Sequence, residues 1–476
     1  MTRRPRPVRL RRLAAMGVAA AARATVGLVE HGGTSLPGML AERIDPTILA
    51  DLAADLGPVV IVVGTNGKTT TARLTTRILG AVQGRTPIAN RSGANLRQGL
   101  TSTLIAAAGR NGALRHPGVA AVFEIDELAL PSVIATLSPA ALVLTNLFRD
   151  QLDRYGEVDA VIERWSVAFR DLPKSTVIVA CADDARIDQL AIDSGLPTIR
   201  FGLAGDPNAS AERASNAAAW GVGDPVACPV CGGALVFGWR SIGHLGDWAC
   251  PDGHVRRTEP DVRVEVERAD GAASDLRFGG TFGEADATVR LAGASGAYDA
   301  AAAVGAAMAL GVDPRAAIRA LDGATPAFGR LEELLVDGRR VVLALAKNPA
   351  SLTESAQVAV SSHPDGVLLG LSDEPADGRD VSWIWDVDFE RLRGIPAIGV
   401  TGTRADDLAL RFKYADDLTA GSWPIVAIEP LVDRALDRML ATIPPGGTLA
   451  VLATYTSLLG IRRTLQRRGV VTAIPR

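Results

Sequence analysis

The segment "PVVIVVGTNGKTTTARLTTRIL", residues 58–79, constrains this chain more than any other. Five β-branched residues, Val59 to Val63, run without a polar break into Gly64-Thr65-Asn66-Gly67-Lys68-Thr69-Thr70. The apolar run predicts a buried strand, and the stretch after the glycines predicts a helix. Such a strand–loop–helix unit is a phosphate cradle. Glycines let backbone N–H groups approach an anion, and the helix N-terminus adds partial positive charge. Lys68 offers a cation to the outer phosphates of ATP, and Thr69 offers a hydroxyl to Mg²⁺. The loop is a variant of the usual pattern: the position that should be the first Gly is Val62, and Gly64 stands three residues before Gly67. The competing reading is an ordinary Gly turn ahead of a helix.

A nucleotide-bound Mg²⁺ needs oxygen ligands. "VFEIDE" supplies Glu124, Asp126 and Glu127 at the end of a second apolar run. That edge of an open α/β sheet is where ligands bind. Glu124 is the expected Mg²⁺ ligand, and Glu127 is expected to be a solvated loop carboxylate. "AALVLTN" and "STVIVACADD" are further buried strands ending in polar residues, with helical stretches between them. The pattern argues for a parallel sheet covered on both faces. It breaks near residue 205, becomes loop-like and Cys-containing to about 260, and resumes as a helix at "SGAYDAAAAVGAAMALG". A second alternation of strand and helix begins near 327. The expected organisation is an N-terminal helical segment (1–55), a P-loop domain (56–326) with an insertion at 205–260, and a smaller Rossmann-like α/β domain (327–476).

The insertion carries "CPVC", with Cys228 and Cys231 at knuckle spacing, and then "HLGDWACPDGH" with His244, Cys250, Asp252 and His254. Two Cys separated by two residues are a metal-binding pair, and zinc favours Cys and His. The fourth Zn²⁺ ligand could be Asp252 or His254. The alternative is a ribbon that packs without metal. Zinc here would be structural, because a small insertion lacks its own core. Cys181, inside "VIVACADD", is expected to be a buried strand residue. Four Cys in 476 residues do not make a disulfide scaffold. Net charge is −3, from 50 basic and 53 acidic residues, so no basic footprint for nucleic acid exists. The N-terminus is basic and then apolar from Leu13 to Ala22, which fits either a secretory signal or a basic amphipathic helix. An ATP site decides for the helix and a cytoplasmic location. No run approaches the ~20 apolar residues of a membrane span.

The order of "GTNGKTT", a strand-end Glu, "TNLFRDQLDRYGE", "ADDA", "GAYDAAAA" and "FGRLEEL" resembles the Mur ligases, ATP-dependent enzymes that join amino acids onto peptidoglycan precursors. "LPGML" (36–40), "LAKNPA" (345–350), "ADGRDVSWIWD" (376–386), "VTGTRADDLALRFKYA" (400–415) and "TYTSLL" (454–459) narrow the resemblance to the MurT family, the ligase subunits of lipid II isoglutaminyl synthases. The resemblance implies a Mur-ligase fold with a four-Cys zinc ribbon, where this chain has three Cys. It implies ATP contacts from Asp299 and Arg330, although the usual Asn is Asp299 here and lacks the amide donors. Amino-acid-adding members carry a His at Gln151, a Lys that "VIERWSVAFRD" does not contain, and an acidic residue at Ala344. Their loss fits ammonia as the nucleophile.

The implied reaction is amidation of the α-carboxyl of D-glutamate in the lipid II stem peptide to D-isoglutamine, through an acyl phosphate, at the inner face of the membrane. No Cys here has a nucleophile elbow, so a separate glutaminase is expected, and the resemblance implies a GatD-type glutamine amidotransferase forming a heterodimer. Its triad takes an Asp from this chain. Within "EPADGRDVSWIWDVDFE", Asp380 is the first choice and Asp377 the second, while Asp386, Asp388 and Glu390 read as structural. Two other functions compete: a stand-alone amino-acid ligase, and a scaffold that only binds nucleotide.

Overall fold

The computed structural model describes residues 10–26, 35–90, 93–149, 158–205, 226–269, 273–291, 293–325, 330–361, 363–416 and 423–471. Its first sheet is built on β1 (Val59–Val63), β2 (Ile88–Ala89), β3 (Ala121–Glu124), β4 (Ala141–Leu144), β5 (Val177–Cys181) and β6 (Thr198–Leu203). These six strands pair in parallel with β1 between β3 and β4. All five residues of β1 are buried, as a strand covered on both faces requires.

The insertion forms a separate two-stranded hairpin, β7 (Val236–Arg240) and β8 (Gly246–Ala249). Three further strands then extend the first sheet: β9 (Val262–Ala269), β10 (Ser274–Gly280) and β11 (Gly283–Val289). β9 joins β6 in parallel, and β9 to β11 run antiparallel. The alternating charge of "DVRVEVERAD" is therefore the outer face of an antiparallel edge, which only one side of the sheet buries.

Helix Gly293–Ala309 closes the domain against β5, β6 and β9 and against helix Lys68–Gln83. Its run of alanines is buried around the whole circumference, the pattern of a core helix. Close packing sets the side-chain size: a Cβ on Gly305 would sit 2.8 Å from Val179 Cγ1. Helix Leu10–Val26 buries Ala15 and Ala19 against the same core, and Arg12 pairs with Asp51 at 3.1 Å. Among the described residues no helix is long and apolar enough to cross a membrane.

The second sheet comprises β12 (Arg330–Val336), β13 (Arg339–Leu345), β14 (Gly366–Gly370), β15 (Ile398–Thr401), β16 (Ile425–Glu429) and β17 (Thr448–Ala453). Its spatial order is β12-β13-β17-β14-β15-β16, parallel except for the β12–β13 hairpin. Separate apolar clusters cover its two faces.

Candidate functional site

β1 delivers the chain into the loop at the carboxyl edge of the first sheet, between β3 and β4. Gly64 and Gly67 have φ of +135° and +84°. Both glycines are also needed for space, since a Cβ would strike Thr145 Oγ1 at Gly64 and Asp299 Oδ1 at Gly67. The polar residues that end β4 hold the loop down. Asn146 O accepts from Thr65 N at 2.8 Å, and Asn146 Oδ1 accepts from Asn66 N at 2.9 Å. Thr145 Oγ1 donates to Asn66 O at 2.9 Å, and Phe148 N donates to Thr65 Oγ1 at 3.0 Å.

Lys68 and Thr69 open the following helix. Lys68 Nζ is folded onto the loop carbonyl of Gly64 and pairs with Glu127 Oε1 at 2.9 Å. Glu127 is only 5% exposed, and its backbone carbonyl accepts from Trp165 Nε1. The expectation of a solvated carboxylate at Glu127 is therefore corrected: burial beside an ammonium makes it the counter-ion of Lys68. Thr69 Oγ1 donates to Glu124 Oε2 at 2.8 Å, so the two residues expected to share Mg²⁺ face each other. Thr70 is buried in the same turn. Asp299 lies over Gly67 and accepts from Thr71 Oγ1 at 3.2 Å.

The second domain reaches this loop through "KNP". Asn348 is 1% exposed, and its Nδ2 donates to Asn66 Oδ1 at 3.1 Å. Arg330 begins β12 opposite Ala344; its side chain, like Gln151, lies outside the described residues.

The insertion gathers Cys228, Cys231, Cys250 and His254, with every candidate ligand atom within 4.8 Å of the others. Cys231 Sγ and Cys250 Sγ are 3.7 Å apart, and Cys250 Sγ is 3.4 Å from His254 Nδ1. A tetrahedral Zn²⁺ sets sulfurs about 3.8 Å apart and a sulfur and imidazole nitrogen about 3.5 Å apart. The geometry therefore fits zinc. His254 completes the set, and Asp252 is not part of it. His244 belongs elsewhere: it is buried, with Nε2 3.3 Å from Asp184 Oδ2. Cys181 is fully buried in β5, and burial pushes its thiol well above the ordinary range, as expected of a structural residue.

The acidic stretch follows β14 at its carboxyl end. Asp380 is partly exposed, and its Oδ1 accepts from Ser382 N at 2.8 Å, opening the 3₁₀ turn Ser382–Asp386. Asp377 is buried, accepts from Thr456 N at 3.0 Å, and is pushed up by burial. Asp388 and Glu390 pair with Arg391 and Arg411. Trp385 is 48% exposed and stands 5.8 Å from the ring of Tyr414, itself 53% exposed.

Sequence comparison gives this geometry a family. The Mur ligase middle domain matches residues 62–223, and the MurT ligase C-terminal domain matches 345–458. The chain is 31% identical to "Lipid II isoglutaminyl synthase (glutamine-hydrolyzing) subunit MurT" of Staphylococcus aureus (strain COL), over 96% of this chain and 98% of that one. The chain belongs to the MurT family. The Streptococcus pneumoniae (strain ATCC BAA-255 / R6) subunit of the same name is also 31% identical, over 92% of this chain and 94% of that one. Among solved structures, a pseudomurein peptide ligase type C from Methanothermus fervidus aligns with a TM-score of 0.65 at 19% identity, covering 87% of this chain and 79% of that one. MurF ligase from Thermotoga maritima, in complex with ADP, aligns at 0.58 and 15% identity, covering 88% and 84%. The Mur-ligase fold expected of this MurT-family chain is thus the one observed. Where the resemblance implied four Cys, the chain gathers three Cys and one His in an arrangement compatible with zinc.

Sequence reasoning missed Asn146, Asn348 and Asp184, and it grouped His244 with the metal cluster without seeing its place beside Asp184. Asn146 and Asp184 end apolar runs at the ligand edge, which was a legible signal. Nothing local marks Asn348 or His244, because their partners lie 282 and 60 residues away.

Proposed function

We propose that this chain is the ligase subunit of a lipid II isoglutaminyl synthase. It amidates the α-carboxyl of D-glutamate in the lipid II stem peptide, using ATP and ammonia released from glutamine by a GatD-type partner. The observation that carries this reading is the facing of Thr69 and Glu124 beside Lys68 at the sheet edge, in a chain that matches MurT relatives nearly end to end. The proposed division is a helical segment (1–55), an ATP-binding domain (56–326) and a C-terminal domain (327–476).

The loop N–H groups and the helix N-terminus hold the phosphates of ATP. Lys68 leaves Glu127 to neutralise charge that develops on the transferring γ-phosphoryl group. Thr69 and Glu124 would hold Mg²⁺, which would neutralise phosphate charge when bound. Asp299 and Arg330 are proposed to complete the nucleotide site. A carboxylate oxygen of D-glutamate attacks the γ-phosphorus and ADP leaves. Ammonia then attacks the acyl carbon, phosphate departs, and the nitrogen loses a proton to give the amide. Ala344, where amino-acid-adding Mur ligases carry an acid, offers no carboxylate to the ammonium group of an incoming amino acid.

Asp380 is proposed to orient the catalytic His of the glutaminase, as the third member of a triad does. Trp385 and Tyr414, on and beside the segment that carries Asp380, supply the exposed aromatic anchors typical of an interface. Helix Leu10–Val26 exposes Leu10, Arg11, Leu13 and Val18, a face suited to the inner membrane surface where lipid II resides. The test is direct. The chain is co-expressed with the glutaminase and supplied with lipid II, ATP, Mg²⁺ and glutamine, and the product is weighed for the O-to-NH exchange. No product with glutamine or with ammonium would reject the ligase reading.

A further inference from the structure

The hairpin β7–β8 does not stand apart from the nucleotide loop. Its tip, Ser241 to Leu245, is driven into the first domain. Gly243 packs so tightly on Phe148 that an added Cβ would lie 2.9 Å from the ring. The neighbouring His244 ring stands 4.6 Å from that of Phe148 and is fully buried. Its Nε2 meets Asp184 Oδ2 at 3.3 Å, while Nδ1 has no hydrogen-bond partner among the described residues. Asp184 Oδ2 also accepts from Leu147 N at 2.9 Å, and its Oδ1 caps helix Ala185–Ser194 through Arg186 N and Ile187 N. Burial works against this carboxylate, but His244 and the N–H donors outweigh it and hold it below the usual range.

Leu147 and Phe148 continue the segment that fixes the phosphate loop: Phe148 N binds Thr65 Oγ1, and Asn146 binds Thr65 N and Asn66 N. A second strut runs beside the first. Ser241 Oγ is 2.8 Å from Tyr298 OH, which donates to Asp183 Oδ2 at 2.6 Å. Asp299, the next residue, lies over Gly67. At the hairpin's other end, β8 runs directly into Cys250 of the metal cluster, and Trp248 Nε1 donates to Ala182 O at 3.0 Å.

We infer that the metal-holding insertion is a clamp on the nucleotide loop, with His244 as its positioning residue. The Cys₃His cluster orders the hairpin, and the hairpin tip fixes residues 145–148 through Asp184 and Phe148. Those residues set the loop N–H groups that meet phosphate. The inference rests on the ATP-binding reading above, and the effect is on nucleotide affinity, because His244 lies one layer behind the loop.

The test measures binding of Mg²⁺ with a non-hydrolysable ATP analogue by calorimetry, and KM for ATP in the ammonium-driven reaction, on the ligase–glutaminase complex. His244→Leu removes the donor; His244→Gln restores an N–H near the position of ring Nε2. The expected result is a tenfold or greater rise in Kd and in KM for ATP with His244→Leu, with kcat within threefold of wild type. Return to within threefold of wild-type affinity is expected with His244→Gln, and equal zinc content in all three. Wild-type Kd in His244→Leu, or a loss of affinity that His244→Gln does not relieve, would overturn the clamp. Should His244→Leu not fold, Cys231→Ser carries the test: zinc loss with unchanged Kd overturns it, and zinc loss with a matching rise supports it. Lys68→Ala is the control for the underlying reading. If it keeps wild-type Kd, ATP binding at this loop is wrong and the clamp falls with it.

Discussion

Gly67 shows how one residue can serve two constraints. Its φ of +84° is a conformation most residues avoid, and the space above it is filled by Asp299. Gly67→Ala should cost about 1–3 kcal/mol of strain and abolish ATP turnover, measured by thermal melting and phosphate release; a fully active variant would show that the loop opens on binding. Asp377 gives a prediction with a sign. Burial raises its pKa, so the folded protein takes up a proton at higher pH than the unfolded chain, and the charged form costs stability above that pH. Asp377→Asn should therefore leave the melting temperature equal or higher at pH 8, with the difference vanishing below about pH 4, where Asp in the unfolded chain is also protonated. Asp377→Asn should also keep glutamine-driven amidation if Asp380 is the triad member; loss of that activity would move the role to Asp377.

At the scale of elements, the insertion is the one unit that cannot hold itself. Among the described residues its buried apolar cluster is Val226, Cys228, Leu235, Trp248 and Cys250, packed on Ala185 of helix Ala185–Ser194, too small to order a loop-rich segment without a cross-link. With zinc bound, the three cluster thiols should resist a thiol reagent. After chelation all three should react, while Cys181, inside β5, should stay silent until the protein is denatured. Three reactive thiols in the purified complex before chelation would show a ribbon without metal. The knuckle itself was legible, because Cys-x-x-Cys is a local pattern. The choice of His254 over Asp252 was not, because both lie within one turn of Cys250 and only the chain's path decides which side chain points inward.

At the scale of the whole molecule, two sheets present their carboxyl ends to the same region. Asn66 of the first domain meets Asn348 of the second across a pair of side-chain amides. The two activities of the assembled enzyme should separate along this division. Asp380→Asn in the complex should eliminate glutamine-driven amidation and leave the ammonium-driven rate within about twofold of wild type, read by the mass of the lipid II product. Equal loss of both would place Asp380 in the ligase site and not at the partner. Lys68→Ala should eliminate both.

What the sequence determined by itself was everything encoded at short range. The phosphate loop, the buried parallel strands, the Ala-rich core helix and the metal knuckle each follow from residue type and spacing, because strand, turn and helix periodicities are local. The family's long motifs likewise sit in contiguous text. Only the tertiary structure decided which distant groups meet. Glu127 becomes the partner of Lys68 because β3 lies beside β1, and His244 leaves the metal cluster because the hairpin tip turns into the first domain toward Asp184. Charges such as these are recognisable in a sequence, but their roles depend on burial and on neighbours 59 and 60 residues away. Chain packing sets both, and no local pattern records them.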